Sequence, residues 1–140
     1  MSDVQHFING KPATGQSGRW SEVFNPATGE RARRVALASA AEVDAAVRSA
    51  KAAFPGWAAT PPLTRARVLF KFRELLERDG DALARIITDE HGKVLSDAKG
   101  EVTRGMEVVE FACGIPHLMR GEVTEQVGRG IDSWSLRQPL

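Results

Sequence analysis

The sequence predicts a mainly α-helical chain with a β-hairpin region at its amino-terminal end and a β-ribbon at its carboxy-terminal end. Three observations support this fold class. Residues 1–38 contain several turn sequences. Apolar residues recur at helical spacing through residues 39–120, whereas residues 121–140 show no helical period. We treat these three ranges as the segments of the chain.

Short strands joined by turns are predicted for the first segment. Residues 6–8 (HFI) run into Asn9-Gly10, a dipeptide typical of a type I′ hairpin because both residues tolerate a positive φ angle. A second strand is predicted around residues 20–24, followed by the turn sequence of residues 25–29 (NPATG). Residues 34–37 (RVAL) then predict another short strand.

Two of the four predicted helices lie between residues 40 and 80. Ser39 and Glu42 form an S-x-x-E capping box at the start of the first helix, and Pro55-Gly56 is expected to end it. Thr64 is predicted to cap the second helix. Gly80 is expected to follow the last turn of that helix, where a left-handed residue is common.

The other two helices are predicted between residues 83 and 113. A short helix is expected to carry residues 83–87 and to end at Gly92. The longest helix is expected to run from Leu95 to Cys113. Gly114 and Pro116 mark its end, because neither residue favours the continuation of a helix.

The third segment predicts two strands joined by a turn at residues 128–130 (GRG). A two-stranded ribbon is marginally stable alone in water, so it needs a partner from this chain or from another. The segment ends at residues 137–140 (RQPL) without a charge cluster or a polar tail. We therefore expect the chain to be a fragment of a longer protein.

The composition is ordinary for a soluble globular protein, with 42% hydrophobic and 26% charged residues. Lys and Arg total 19 against 18 Asp and Glu, and this balance does not indicate binding to nucleic acid or to a membrane surface. The start lacks the pattern of a signal peptide, and no apolar run approaches the ~20 residues that span a bilayer. The single cysteine excludes an internal disulfide. We expect a cytoplasmic protein.

Cys113 and His117 are four positions apart, a spacing that would place a nucleophile and its base on one helix face. Gly114 and Pro116 are expected to end the helix between them. A nucleophilic cysteine also needs electropositive and partly exposed surroundings. The neighbours of Cys113 are instead apolar, so we interpret it as a packing residue: Phe111, Ala112 and Ile115.

No metal site and no dinucleotide-binding loop are predicted. His6, His91 and His117 are far apart and show no ligand spacing. Gly100 and Gly105 flank a short stretch that lies within a helical pattern. The dinucleotide fingerprint requires a glycine-rich stretch directly after a strand, so this stretch does not match it.

Arg104 is the candidate binding residue of the chain. Gly100 and Gly105 each cost a helix about 1 kcal/mol relative to alanine, so we expect another backbone to approach there. Arg104 is then either a solvated surface residue or a guanidinium that binds an anionic ligand, since its planar fork suits a carboxylate or a phosphate.

Several motifs resemble the amino-terminal part of the aldehyde dehydrogenase superfamily. The shared order is FINGK, VFNPATGE and SAAEVDAAVRSAKAAFPGW, and the resemblance covers essentially the whole chain. Within the superfamily, ITDEHGK, DAKGEVTRGMEVVEFACGIPHLMRG and GIDSWSLRQPL resemble the CoA-acylating methylmalonate-semialdehyde dehydrogenases. Residues 97–118 are the most specific part of this likeness.

The resemblance implies an α/β fold for the parent protein and a family reaction that uses NAD and CoA. Methylmalonate or malonate semialdehyde is oxidised through a thioacyl-enzyme, loses its carboxylate and is transferred to CoA. The family nucleophile and the NAD motif lie beyond residue 140, so no catalytic residue, cofactor-binding residue or activity is expected in this chain. The substrate carboxylate is implied to pair with Arg104.

The resemblance also implies roles for the segments and for partners. Residues 39–120 would be the helical part of the NAD-binding domain, and residues 121–140 would start an oligomerisation ribbon of a tetrameric parent. We expect the isolated chain to self-associate through residues 121–140, and we expect no nucleic-acid or membrane partner. The alternative is a stand-alone helical interaction module that dimerises through its terminal strands.

Overall fold

The structure is a computed structural model that describes residues 3–139. Its elements confirm the predicted class, mainly α with hairpins at one end and a ribbon at the other. In chain order they are β1 His6–Ile8, β2 Lys11–Ala13, β3 Trp20–Phe24, β4 Arg31–Ala36, α1 Ala40–Ala59, α2 Pro62–His91, α3 Leu95–Cys113, α4 Ile115–Leu118, β5 Val123–Gly128 and β6 Ile131–Trp134. Leu140, the last residue of the predicted ribbon segment, and the first two residues of the hairpin segment lie outside the described residues.

The first hairpin has the predicted turn. β1 and β2 pair antiparallel, with Ile8 opposite Lys11. Asn9 and Gly10 form the two-residue loop, with φ angles of 56° and 73°. Positive φ at both positions is the requirement of a type I′ turn, so this prediction is confirmed.

β4 begins earlier than the sequence predicted, because its pairing with β3 starts directly after the turn. The Asn25 side chain accepts a hydrogen bond from the Ala27 N–H at 2.8 Å, and Gly29 has a φ of 73°. This turn places Phe24 opposite Arg31, so the strand gains three residues ahead of Arg34. The first residues of β4 are polar and rich in arginine, so their sequence did not predict a strand.

The start of α1 confirms the predicted capping box. The Ser39 N–H and hydroxyl each donate to one Glu42 oxygen at 2.8 Å, and the Ser39 hydroxyl accepts from the Glu42 N–H at 3.3 Å. The second Glu42 oxygen accepts from the Gln16 N–H at 2.6 Å, a contact from 26 residues away. These hydrogen bonds lower the pKa of Glu42 to about 2. The Ser39 N–H is the largest cause, followed by the Gln16 N–H.

α1 does not end at Pro55-Gly56, so that prediction was wrong. The helix continues to Ala59 with Pro55 inside it. A proline removes one backbone hydrogen bond and crowds the preceding turn, but the remaining bonds of the helix can persist around it.

α2 is one continuous helix of 30 residues, where the sequence predicted two. Thr64 lies in its first turn and is not the cap, since Pro61 accepts the first hydrogen bonds through its carbonyl oxygen. Gly80 lies inside the helix. A side-chain carbon built at Gly80 would meet Val102 at 3.7 Å, so the glycine belongs to a contact with α3. The helix ends at His91, and Gly92, at φ 80°, follows it as predicted.

The bounds of α3 and the two strands of the ribbon follow the prediction, but α3, with 19 residues, is not the longest helix, because α2 has 30. α3 runs from Leu95 to Cys113, and Gly114 separates it from α4, a single turn. β5 and β6 then pair antiparallel with Gly128 opposite Ile131, around the Arg129-Gly130 turn. The residues of both strands are exposed, except for Gly128, which is half-buried.

The chain divides into two compact units, Met1–Trp57 with Ala84–Ala98, and Ala58–Leu83 with Lys99–Leu140. The buried apolar residues of the described chain are all small: Ala36, Ala66, Ala84, Ala98 and Cys113. Many large apolar side chains are exposed, among them Trp57 and Phe72. None of the helices in residues 3–139 combines the length and the apolar character that a bilayer crossing requires.

Glu42 should make the stability of the protein depend on pH in the acid range. Its pKa is lower in the folded state than in the unfolded state, so its contribution is fully present above about pH 4.5 and is lost as the pH falls toward 2. Glu42→Gln keeps one acceptor oxygen for Ser39 but cannot ionise. We expect the melting temperature of this variant to change less between pH 5 and pH 2 than that of the wild type. Parallel pH profiles for the two proteins would contradict this role.

Gly80→Ala should stabilise the protein. At an interior helix position, alanine is favoured over glycine by up to about 1 kcal/mol, and the added methyl group makes an ordinary contact with Val102. A glycine that followed a helix end at positive φ would give the opposite result, since alanine is strained there. Thermal unfolding of the two proteins is the measurement, and a lower melting temperature for the variant would place the helix end at Gly80.

Candidate functional site

α3 positions the candidate residue Arg104 on the side of the helix that faces away from its buried residues. The buried or half-buried side carries Ala98, Val102, Met106, Val109 and Cys113, spaced by three or four residues. The opposite side carries Gly100, Arg104, Val108 and Phe111, which we call the Arg104 face. Val108 and Phe111 are 67% and 68% exposed and Arg104 is exposed as well, whereas Gly100 is half-buried.

Arg104 is exposed and forms no ion pair or side-chain hydrogen bond with any other residue in the range 3–139. Arg73 on α2 shows the contrast, because it pairs with Glu77 and, at 2.9 Å, with Glu110 of α3. A guanidinium offers five N–H donors, and those of Arg104 are available to an outside acceptor.

The two glycines of α3 border open space. Apart from the chain neighbours and the backbone of α3 itself, no heavy atom of the described residues lies within 4 Å of an ideal side-chain carbon at Gly100 or at Gly105. We expected another backbone to approach these positions, and within the described residues none does. At 3.6 residues per turn, Gly100 lies about 40° from Arg104 around the helix axis, whereas Gly105 lies about 100° away. Gly100 therefore belongs to the Arg104 face, and Gly105 lies on its flank.

The structure places Cys113 and His117 on different helices. Cys113 is the last residue of α3 and only 8% exposed. His117 lies in α4, where its N–H donates to the Gly114 carbonyl at 3.0 Å, so the two residues do not share a helix. A buried thiol at an apolar helix end has the surroundings of a packing residue.

The remaining histidines are on different elements. His6 lies on β1, with its Nε2 4.0 Å from a Glu42 oxygen, and His91 ends α2. In the part of the chain that the structure describes, no three His, Cys, Asp or Glu side chains are grouped closely enough to hold a metal ion.

A groove of about 430 Å³ lies between α2 and α3, on the side of α3 that faces away from Arg104. Its lining includes Gly80, Val102 and Met106, together with the ion pair between Lys99 and Asp81 at 2.8 Å. This ion pair and the Arg73–Glu110 pair link the two helices. The sequence contains no local signal for either pair, because the partners are 18 and 37 residues apart.

A second groove of about 470 Å³ lies between the β3–β4 hairpin and the end of α2. Arg33 pairs there with Glu90, so both charges are already matched. Neither groove contains Arg104. The structure thus leaves Arg104 outside both grooves, on an exposed part of α3.

Comparison with known proteins identifies the family. Residues 13–140 match the model of the aldehyde dehydrogenase family. The chain belongs to the aldehyde dehydrogenase family. It is 45% identical over 140 residues to a malonate-semialdehyde dehydrogenase of Pseudomonas aeruginosa, covering 100% of this chain and 28% of the relative. It is 44% identical over 137 residues to the human mitochondrial methylmalonate-semialdehyde/malonate-semialdehyde dehydrogenase, covering 98% and 26%.

Solved aldehyde dehydrogenase structures share the fold. A crystal structure of methylmalonate-semialdehyde dehydrogenase from Oceanimonas doudoroffii is 51% identical, with a TM-score of 0.92 over 99% of this chain and 28% of that one. A structure from Sinorhizobium meliloti, described as this type of enzyme in complex with NAD, is 56% identical with a TM-score of 0.93, covering 100% and 28%. The chain therefore spans a little over a quarter of the length of these dehydrogenases.

Proposed function

We propose that the chain is the amino-terminal part of an NAD-dependent, CoA-acylating dehydrogenase. The full-length enzyme would convert methylmalonate or malonate semialdehyde to propionyl-CoA or acetyl-CoA, with loss of the substrate carboxylate. The observation that carries the proposal is the exposed, unpaired Arg104 in a chain that is 45% and 44% identical to enzymes named for carboxylated semialdehydes. The cytoplasmic location stays a prediction from the sequence.

Arg104 would bind the carboxylate of the semialdehyde. A guanidinium and a carboxylate form two parallel N–H···O hydrogen bonds, which set both the position and the orientation of the anion. α3 is a rigid support for this contact, because α3 is tied to α2 through Glu110 and Lys99. Anchoring the carboxylate would hold the aldehyde end at a defined distance from Arg104.

In this proposal the described residues make no contact with NAD or CoA. The phosphates of a dinucleotide are bound at a glycine-rich turn between a strand and a helix. The Gly100–Gly105 stretch has a different geometry, since it lies inside α3. The covalent chemistry would come from a cysteine in the part of the enzyme that follows these residues. In this proposal residues 39–120 contribute helices to the NAD-binding domain.

Residues 121–140 would begin the ribbon through which the enzyme forms a homo-oligomer, a tetramer in our proposal. Five apolar side chains in or beside β5 and β6 are more than half exposed: Val123, Val127, Ile131, Trp134 and Leu136. A two-stranded ribbon with exposed edges pairs readily with other strands. The isolated chain would therefore self-associate through this segment.

Replacing Arg104 should impair only the carboxylated substrates. A charge-assisted hydrogen bond contributes on the order of 1.5–3 kcal/mol, so Arg104→Leu should lower kcat/KM for malonate semialdehyde roughly ten- to a hundredfold. Propionaldehyde has no carboxylate and should be oxidised at nearly the wild-type rate. Steady-state kinetics of the full-length enzyme with both aldehydes is the measurement.

Arg104→Lys is the matched control for this experiment. Lysine keeps the positive charge but not the planar fork, so it should recover only part of the lost kcat/KM. If Arg104→Leu reduces turnover of propionaldehyde as strongly as that of the semialdehyde, Arg104 supports the fold and does not recognise the carboxylate.

Cys113→Ala should leave the covalent step intact in the full-length enzyme. Cys113 is buried at the end of α3, away from the Arg104 face, and its removal takes away only a small apolar side chain. A rapid-mixing experiment should still show the burst of NADH that accompanies formation of the thioacyl-enzyme. Loss of that burst in a folded variant would make Cys113 the nucleophile.

A further inference from the structure

The Arg104 face contains a glycine where a helix surface would ordinarily carry a side chain. Gly100 lies one turn before Arg104, in the interior of α3. Apart from the two chain neighbours and the backbone of α3 itself, no heavy atom of the described residues, including those of the Arg104 side chain, lies within 4 Å of an ideal side-chain carbon at this position. The described fold therefore does not require a glycine at position 100 for packing.

The backbone at Gly100 does not require a glycine either. Its φ angle is not positive, unlike that of Gly92 after α2. Alanine would adopt the same helical conformation and would favour the helix. Within the described residues, neither packing nor backbone conformation accounts for a glycine at this position.

The direction of side chains on a helix connects this space to Arg104. Long side chains on an α-helix lean toward the amino-terminal turn, over the residues three and four positions earlier. An arginine at position 104 that follows this tendency would extend its stem along the helix toward Gly100. A ligand held by the guanidinium would have its nearest atoms beside the open surface at Gly100.

We propose that Gly100 is a specificity-determining position that makes room for a substituent on the carbon next to the bound carboxylate. The inference rests on the proposed function of Arg104. The substrate class it favours is a branched, carboxylated short-chain aldehyde, such as methylmalonate semialdehyde. Malonate semialdehyde carries hydrogen where the branched substrate carries a methyl group, and it needs no such space.

The test compares two substrates on the full-length enzyme and two variants, Gly100→Ala and Gly100→Val. A single methyl group in a binding site discriminates roughly ten- to two-hundredfold. We expect the ratio of kcat/KM for methylmalonate semialdehyde to that for malonate semialdehyde to fall about tenfold in Gly100→Ala. A larger fall is expected in Gly100→Val. The melting temperature of Gly100→Ala should be unchanged or higher.

Gly105→Ala is the matched control, since it adds the same methyl group to the same helix at an open position off the Arg104 face. Its substrate ratio should equal that of the wild type. Equal losses on both semialdehydes in the Gly100 variants, or no loss on either, would overturn the inference while leaving the proposed function standing. A folded wild-type enzyme that is inactive on both semialdehydes would overturn the proposed function, and the inference with it.

Discussion

The antiparallel contact between α2 and α3 decides where the candidate residue points. Gly80 faces Val102 across this contact, and ion pairs from Asp81 to Lys99 and from Arg73 to Glu110 lie on either side of it. Exposed ion pairs contribute little free energy, typically 0 to ~1 kcal/mol each, so their main effect here is on the register of the two helices. Once this side of α3 faces α2, the opposite side with Arg104 must face outward.

The described chain buries only small residues, and this limits what it does alone. Hydrophobic stabilisation grows with the apolar area removed from water, roughly 25 cal/mol per Å². Phe72 on α2, Phe111 on α3 and Trp134 on β6 are 46%, 68% and 67% exposed, so each contributes only part of this energy. Contiguous exposed apolar surface marks a site of interaction. In the proposed enzyme the remainder of the protein and the neighbouring subunits would cover these faces.

Sequence motifs correctly predicted the structural features that depend only on residues close together in the chain. The Asn9-Gly10 turn, the Ser39–Glu42 capping box and the helix end at Gly92 each depend on a few adjacent residues, and each is present. Pro55 and Gly80 misled the same reasoning, because both lie inside helices that continue past them. Gly80 shows the physical reason most clearly: a glycine that reads as a helix end in sequence lies instead at a contact with a helix elsewhere in the chain.

The sequence by itself determined the family, the mainly helical class, the length of α3 and the choice of Arg104 as the candidate residue. These depend on periodicity, turn chemistry and motifs that a linear chain displays. Only the tertiary structure decided which side of α3 packs, that Cys113 and His117 belong to different helices, and that Gly100 borders open space near Arg104 while Gly105 does not share that face. A glycine in a sequence is compatible with a close contact or with open space, and the distinction depends on atoms supplied by residues distant along the chain.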